Sequence, residues 1–338
     1  MTPKKRILPI FVPHLGCPYQ CVFCDQHTIT GADYTATKEN VSHMLENAFA
    51  NSLKTELEVA FYGGSFTAIP LEVQRELLEA VRPYRETGNV SGIRCSTRPD
   101  AISQEVLSLL KEYGVTTIEL GCQSMDPDVL DLSGRGHNPE DVVSAAKQIH
   151  NAGIDLIVQM MTGLPGSTEE KEIDTARKLI ALEPDGVRIY PTVIVRGTKL
   201  YDMWMAGEYK EHTVEQAVQA GSRLIPMFRD AGIPVIRFGL NPTEDLSSGE
   251  AVGGAYHPAL GELVYSRIML QNARRALKDI PRDQNVILKV GKGLTSKMAG
   301  QRRENINILQ KEFSPASIKI VEDKSISNDS ISVEFIAK

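Results

Sequence analysis

Between residues 6 and 240, short apolar and β-branched runs recur at a steady interval, each separated from the next by a stretch of helical periodicity. The runs are RILPIFV near 6, LEVAFYGG near 57, GIRCST near 92, TTIELG near 116, DLIVQMMTG near 155, GVRIYPTV near 186 and PVIRFGL near 234. Segments such as LEVQRELLEAVRPY and NPEDVVSAAKQIHNAG lie between them. This alternation constrains the chain more than any other feature, because strands joined through helices pair as a parallel sheet with right-handed crossovers. Six or seven such beats precede residue 241, fewer than the eight that close a barrel. The expected fold is therefore α/β, an incomplete (βα)6-type TIM-like barrel with a lateral opening. Side chains that do chemistry are expected on the loops at the carboxyl ends of its strands.

The beat breaks at NPTEDLSSGEAVGGAYHPALGE, residues 241 to 262, which is rich in Gly, Pro and Ser. A boundary is expected there, with the partial barrel over residues 1–245 and a small α/β domain over 246–338. In the second part the patterns read as a helix over 263–279, the strand NVILKV, a helix over 295–312, and two short strands, SIKIVE and SISVEFI. No fixed-period repeat is evident. The chain has 338 residues, a net charge of −6 and a pI near 5.7, so a surface that coats nucleic acid throughout is excluded, though a local basic patch is not. No apolar run is long enough to span a bilayer, and MTPKKRILPIFVPH lacks the features of a secretory leader, so the expected location is the cytoplasm.

Five cysteines are present, an odd number, and three of them crowd into HLGCPYQCVFCDQHTIT as Cys17, Cys21 and Cys24. That count does not suit a disulfide framework. Three thiolates at spacing CxxxCxxC can wrap one face of a compact metal cluster. Iron–sulfur cubanes normally take four cysteines, so three would leave one iron open. The residues alone also allow a zinc site completed by His14 or His27, or reactive thiols. Cys95 and Cys122 lie on strands and read as small buried hydrophobes.

CPYQCVFC resembles the signature of the radical S-adenosylmethionine (radical SAM) enzymes. The resemblance implies a [4Fe-4S] cluster on Cys17, Cys21 and Cys24, with S-adenosylmethionine on the open iron. It also implies reductive cleavage to a 5′-deoxyadenosyl radical and a one-electron donor such as flavodoxin or ferredoxin. Gly63, Gly64 and Ser65 of FYGGSFT match the glycine motif that lets backbone approach the methionine amino group, where a Cβ would interfere. CSTRPD, IELGCQSMDPDVLDLSGRGH and VQMMTGLPGST match the ends of the following strands. Thr97, Glu119, Gln123, Arg135 and Gln159 are the further cofactor-binding candidates there. Arg135 could pair bidentately with a carboxylate, and Arg98 either contacts a ligand or braces the rim. Met160 and Met161 read as packing.

Within that superfamily, TRPD, GCQS, RGH, GLPG and IYPT…RGT.LY…W..GEY are similar, in order, to segments of the Elongator catalytic subunit family, which modifies wobble uridines of transfer RNA. A looser likeness extends to enzymes related to anaerobic coproporphyrinogen III oxidase. No room for an acetyltransferase domain is seen after residue 262, so carboxymethylation does not carry over, and Lys199 stands where that family usually has a small residue. Lys289, Lys292, Lys297, Arg302, Arg303 and Lys311 could follow an RNA backbone, or form a solvated face of mixed charge. His257 and Arg267 are expected either near the barrel opening or in a linker. The sequence thus predicts an oxygen-sensitive radical enzyme whose substrate is unidentified, with RNA among those the resemblance allows. A tetrapyrrole-type radical enzyme and a non-catalytic cluster or RNA-binding protein are the alternatives.

Overall fold

The computed structural model describes residues 6–12, 15–17, 21–25, 36–50, 57–240, 249–326 and 329–336. Strands β1 (Arg6–Phe11), β2 (Leu57–Tyr62), β3 (Val90–Thr97), β4 (Val115–Gln123), β5 (Asp155–Thr162) and β6 (Gly186–Pro191) lie side by side in sequence order. A short strand β7 (Val193–Val195) leaves the sheet, and β8 (Val235–Phe238) completes it next to β6. All neighbours in this seven-stranded sheet are parallel.

The connections are helical: α1 (Lys38–Ala50), α2 (Leu71–Glu86), α3 (Gln104–Glu112), α4 (Pro127–Leu132), α5 (Pro139–Ala152), α6 (Glu169–Ile180), α7 (Lys199–Met205) and α8 (Val214–Asp230). Local sequence explains their limits. Asn138 accepts from the Asp141 amide while the Asp141 carboxylate accepts from the Asn138 amide, Pro139 occupies the first turn, and Gly153 ends α5 at a φ of +68°.

Side chains prove the curvature. Arg188 Nη2 on β6 lies 3.4 Å from Tyr62 Oη on β2, four places away in the sheet. In a flat sheet those strands would stand about 19 Å apart, at roughly 4.8 Å per strand. The sheet therefore curls into a half-barrel, with seven strands where the sequence pattern counted six or seven.

The Gly-rich stretch holds a strand that periodicity did not predict: β9 (Ala251–Gly254) pairs antiparallel with β7. Gly254 takes a φ of +84°, and a Cβ there would stand 2.7 Å from the Thr192 carbonyl oxygen. The chain divides into two compact units, residues 1–213 with 226–256, and residues 214–225 with 257–338. Helix α8 contributes its first part to the second unit and its last turns to the first.

In the second unit, β10 (Asn285–Val290) is the centre of a three-stranded sheet, parallel to β11 (Ser317–Glu322) and antiparallel to β12 (Ile331–Ile336). Its core gathers Met269, Ala273 and Leu277 of α9 (Leu260–Leu277) with Val286, Leu288 and Leu309. The helix expected over 295–312 is two helices, α10 (Thr295–Ala299) and α11 (Glu304–Phe313). Gly300, Arg302 and Arg303 have φ of +75°, +49° and +63°, which a continuous right-handed helix cannot contain. Several basic residues here are paired: Lys289 with Glu334, Lys297 with Glu262, and Arg267 with Glu215. Among the described residues, no helix is long and apolar enough to cross a membrane.

Candidate functional site

The loop after β1 is built by interlocking backbones. The Val12 amide donates to the Tyr62 carbonyl at 2.6 Å and the Ser65 amide to the Leu15 carbonyl at 2.9 Å. A Cβ on Gly64 would stand 2.3 Å from the Val12 oxygen, and one on Gly16 would stand 2.2 Å from the Ser65 oxygen. Gly64 thus admits the cysteine loop itself, a closer reason for glycine than approach of a ligand. Gly63 supplies the turn, at a φ of +88°.

Cys17, Cys21 and Cys24 are half-buried. The Cys24 amide donates to the Cys21 carbonyl at 3.0 Å, and between them Val22 donates to the Ser133 carbonyl and accepts from the Leu200 amide at 2.7 Å. Val22 is buried with Ile194, Leu200 and Tyr209, with Phe23 packed beside them. The apolar VF pair is therefore the anchor that turns the flanking thiols away from the core. Burial raises the Cys17 thiol, while Arg98 and Arg135 oppose that rise. Residues 13–14, 18–20 and 26–35 are outside the described part, and His14 and His27 with them.

Ser65 and Thr97 are buried in a hydroxyl chain, with Ser65 Oγ 3.0 Å from Thr97 Oγ1, Thr67 on the other side of Thr97, and the Arg98 amide donating to Ser65 Oγ. They tie the glycine turn to the end of β3. Arg98 is held by a two-point ion pair with Asp100.

The segment after β4 has a different character. Gln123 closes the strand through a register shift, at a φ of +63° that a side chain with a Cβ rarely adopts. Its Oε1 is buried without a partner. Ser133 Oγ, Arg135 Nε and His137 Nδ1 are likewise buried and unpartnered. Arg135 meanwhile donates to Cys21 Sγ at 3.3 Å and to the Gly121 carbonyl at 2.6 Å. His137 Nε2 lies 3.1 Å from the Cys122 carbonyl oxygen and donates to it. Burial, with Arg135, pushes this imidazole down to about 4, so it is neutral at neutral pH.

Glu119 and Gln159 belong to a second cluster, on the barrel's interior face. Glu119 is 1% exposed. Its Oε1 accepts from Tyr62 at 2.7 Å and from Arg94 and Arg188 at 3.1 Å each, and its Oε2 accepts from Gln159 at 2.9 Å. Arg188 Nε lies 2.8 Å from the same Oε2, and Arg94 also donates to Glu58 at 2.6 Å. Burial alone would raise the Glu119 carboxyl, but Arg188, Tyr62 and Arg94 outweigh it and hold it below the ordinary range. Both oxygens are occupied by the protein. The structure thus shows Glu119 and Gln159 in contacts within the protein.

Sequence reasoning missed Glu58, Tyr62, Arg94, Arg188 and His137. The signal for the first four was the presence of charged and phenolic residues at alternate positions of otherwise apolar strands, where an unpaired charge would be prohibitive. Cys95 and Cys122 are buried, as expected, and burial raises each thiol to about 12.

With this geometry in place, comparison with known proteins identifies the class. A model of the radical SAM superfamily matches residues 11–179, and one of the radical SAM C-terminal domain matches 184–269. The chain belongs to the radical SAM superfamily. An uncharacterized protein of Methanocaldococcus jannaschii is 34% identical over 221 residues, 61% of this chain and 67% of that protein. The tRNA uridine(34) acetyltransferase of Methanocaldococcus infernus is 29% identical over 234 residues, 62% of this chain and 42% of its own length. The chain thus spans about two fifths of that acetyltransferase. In fold it matches the solved archaeal Elp3 of Methanocaldococcus infernus with a TM-score of 0.63 at 23% identity, covering 80% of this chain and 64% of that one. The protein is a radical SAM enzyme related to the Elp3 group, and its family implies a [4Fe-4S] cluster and S-adenosylmethionine.

The residues present fit those groups. Among the described residues no three His, Cys, Asp or Glu side chains gather around a single ion. A four-iron cluster asks for something else, because each thiolate takes a separate iron. Three thiols on a segment pinned at Val22, with Cys21 against the Arg135 guanidinium, meet that need. The unpartnered atoms of Gln123, Ser133 and Arg135 include an acceptor, a hydroxyl and a charged donor, as a ligand carrying an amino acid and a ribose requires.

Proposed function

We propose that Cys17, Cys21 and Cys24 hold a [4Fe-4S] cluster, and that the segment from Gln123 to Arg135 receives S-adenosylmethionine beside it. When bound and reduced by a donor such as flavodoxin or ferredoxin, the pair supplies a 5′-deoxyadenosyl radical that abstracts hydrogen from the substrate. The chain's own residues position and insulate. Arg135 offers charge to Cys21 and keeps its Nε–H available to a carboxylate. Gln123 is held in a costly backbone conformation with a buried acceptor open, a form of pre-organisation that only a bound donor satisfies. Gly63, Gly64, Ser65 and Thr97 fix the cysteine loop to the second and third strands, and Glu119 with Gln159 braces the interior beneath.

The observation that carries this reading is the set of buried, unpartnered polar atoms between residues 123 and 137 next to the Arg135–Cys21 contact. The substrate we favour is an RNA, supported by the transfer-RNA-modifying relatives among the matches. Anaerobic reconstitution should give about four irons per chain and dithionite-dependent formation of 5′-deoxyadenosine. A chain that stays iron-free, or that holds the cluster and leaves S-adenosylmethionine intact, overturns the proposal.

A further inference from the structure

We propose that Arg237, on the last strand of the half-barrel, forms an anion-binding subsite that takes a phosphate or carboxylate group of the substrate. The inference rests on the reading of the chain as a radical enzyme, and it concerns the opposite edge of the sheet from the cysteine loop. Strand order places β1 at one edge and β8 at the other.

Three observations converge on Arg237. A register shift between β6 and β8, where Ile236 of β8 is passed over, brings Arg237 opposite Arg188. Such irregularities re-aim side chains, and partners in register share a face, so Arg237 joins Gln159 and Arg188 on the interior side. The field of Arg237 reaches Tyr190, two residues along from Arg188 and on the same face. Finally, the buried carboxylates near it are already taken. Glu58 pairs with Arg94, and Glu119 with Arg94 and Arg188, which leaves two carboxylates against two guanidinium groups. Arg237 is the third guanidinium on that face, half-buried, and makes no ion pair with any described residue.

A guanidinium is the side chain best matched to an oxyanion, because its planar fork can donate two parallel hydrogen bonds. Placed at the open edge, it would hold an anionic group while the rest of the substrate reaches across the interior toward the radical. Phosphodiesters of RNA and propionates of a tetrapyrrole offer the same chemistry, and the experiment separates them.

The test compares the parent with Arg237→Gln and Arg237→Lys, and with Lys147→Gln on α5 as a control that removes one exposed charge elsewhere. Binding of unfractionated transfer RNA, uridine 5′-monophosphate and coproporphyrinogen III is measured anaerobically at fixed salt. Iron content and melting temperature establish that each variant is folded and loaded. Arg237→Gln should weaken one class of probe by about tenfold or more, with partial recovery in Arg237→Lys and a much smaller change in Lys147→Gln. Loss with the RNA and the nucleotide assigns a phosphate; loss with the porphyrinogen assigns a carboxylate. Equal weakening by Lys147→Gln, unchanged binding in Arg237→Gln, or a parent that binds none of the three overturns the proposal. The radical-enzyme reading is judged separately, by the parent's iron content and 5′-deoxyadenosine formation.

Discussion

Two polar clusters occupy the same half-barrel and differ in how their valences are filled. Around Glu119, in the interior, four side chains crowd onto one carboxylate and leave neither oxygen open. Around Arg135, at the rim, four side-chain atoms between residues 123 and 137 are buried with no partner, and the backbone at Gln123 is strained. Folding alone would not select the second arrangement, since each unmade buried hydrogen bond costs about 1–3 kcal/mol. The interior cluster, whose carboxylate is filled although Arg94 Nε and Arg188 Nε make no hydrogen bond, supports the fold, and the rim, where a carbonyl oxygen and a hydroxyl also stand open, is suited to something the chain does not itself supply. Each prediction tests whether stability and activity separate along that line.

The largest expected effect is at the rim. Cys21→Ser should reduce 5′-deoxyadenosine formation to that of cluster-free protein, while the melting temperature of the apo-protein changes little, because the thiol is half-buried and its loop is held by Val22. Iron analysis and calorimetry read the two sides; a large fall in apo-protein stability would make Cys21 part of the fold. In the interior the pattern should reverse. Glu119→Ala strands Arg188 and leaves Arg94 with Glu58 alone, and removing one partner of a buried pair costs about 3–5 kcal/mol. Denaturant unfolding of the apo-protein measures it, and a loss under about 1 kcal/mol would mean that the network behaves as a solvated surface pair.

Gln123→Gly sharpens the contrast within one residue. Relief of a left-handed backbone should stabilise the apo-protein by about 1 kcal/mol. Loss of the buried acceptor should raise the KM for S-adenosylmethionine by roughly 5- to 10-fold. Both effects arise from one side chain and have opposite signs. A variant that is less stable and binds the cofactor normally contradicts the assignment of Gln123 to the rim site.

How much of this was legible in the sequence follows from what each feature depends on. The seven strands and the capped helices could be read because local pattern and local chemistry determine them, as in NPED and NAG at the two ends of α5. The cysteine loop could be read because the spacing of its thiols is itself the chemistry. The interior network could not, since Glu119 and Gln159 look like any polar residues near strand ends until the curl of the sheet brings Tyr62 and Arg188 together. Gly64 was singled out as a place of close ligand approach, and only the folded backbone shows that Val12 and Leu15 fill the space of its missing Cβ. The break in the helix over 295–312 had a signal in Gly300, but a lone glycine does not reveal that two arginines follow in left-handed conformations.

The smallest effect concerns a second buried carboxylate that completes the comparison. Glu172 on α6 accepts from the Gly163 amide at 2.7 Å and from Ser167 Oγ at 3.2 Å, and so fixes the GLPG turn after β5. Burial pushes its carboxyl up to about 7 despite these donors, where Glu119, equally enclosed but facing two guanidinium groups, is held down. Folded Glu172 therefore binds a proton that the unfolded chain releases above its ordinary value of 4.5, so its contribution to stability falls as pH rises from about 4.5 to about 7. His137 and His212, each pushed down to about 4 by burial, act in the opposite sense over the same range. The difference between parent and Glu172→Gln isolates the carboxyl, because glutamine keeps an oxygen for Gly163 and Ser167 but does not titrate. Melting curves between pH 5 and about 7.5 should show the parent losing ground to Glu172→Gln as pH rises. A gap that stays constant would mean that Glu172 is ionised throughout and that the GLPG turn, like the interior, has a cation to balance it.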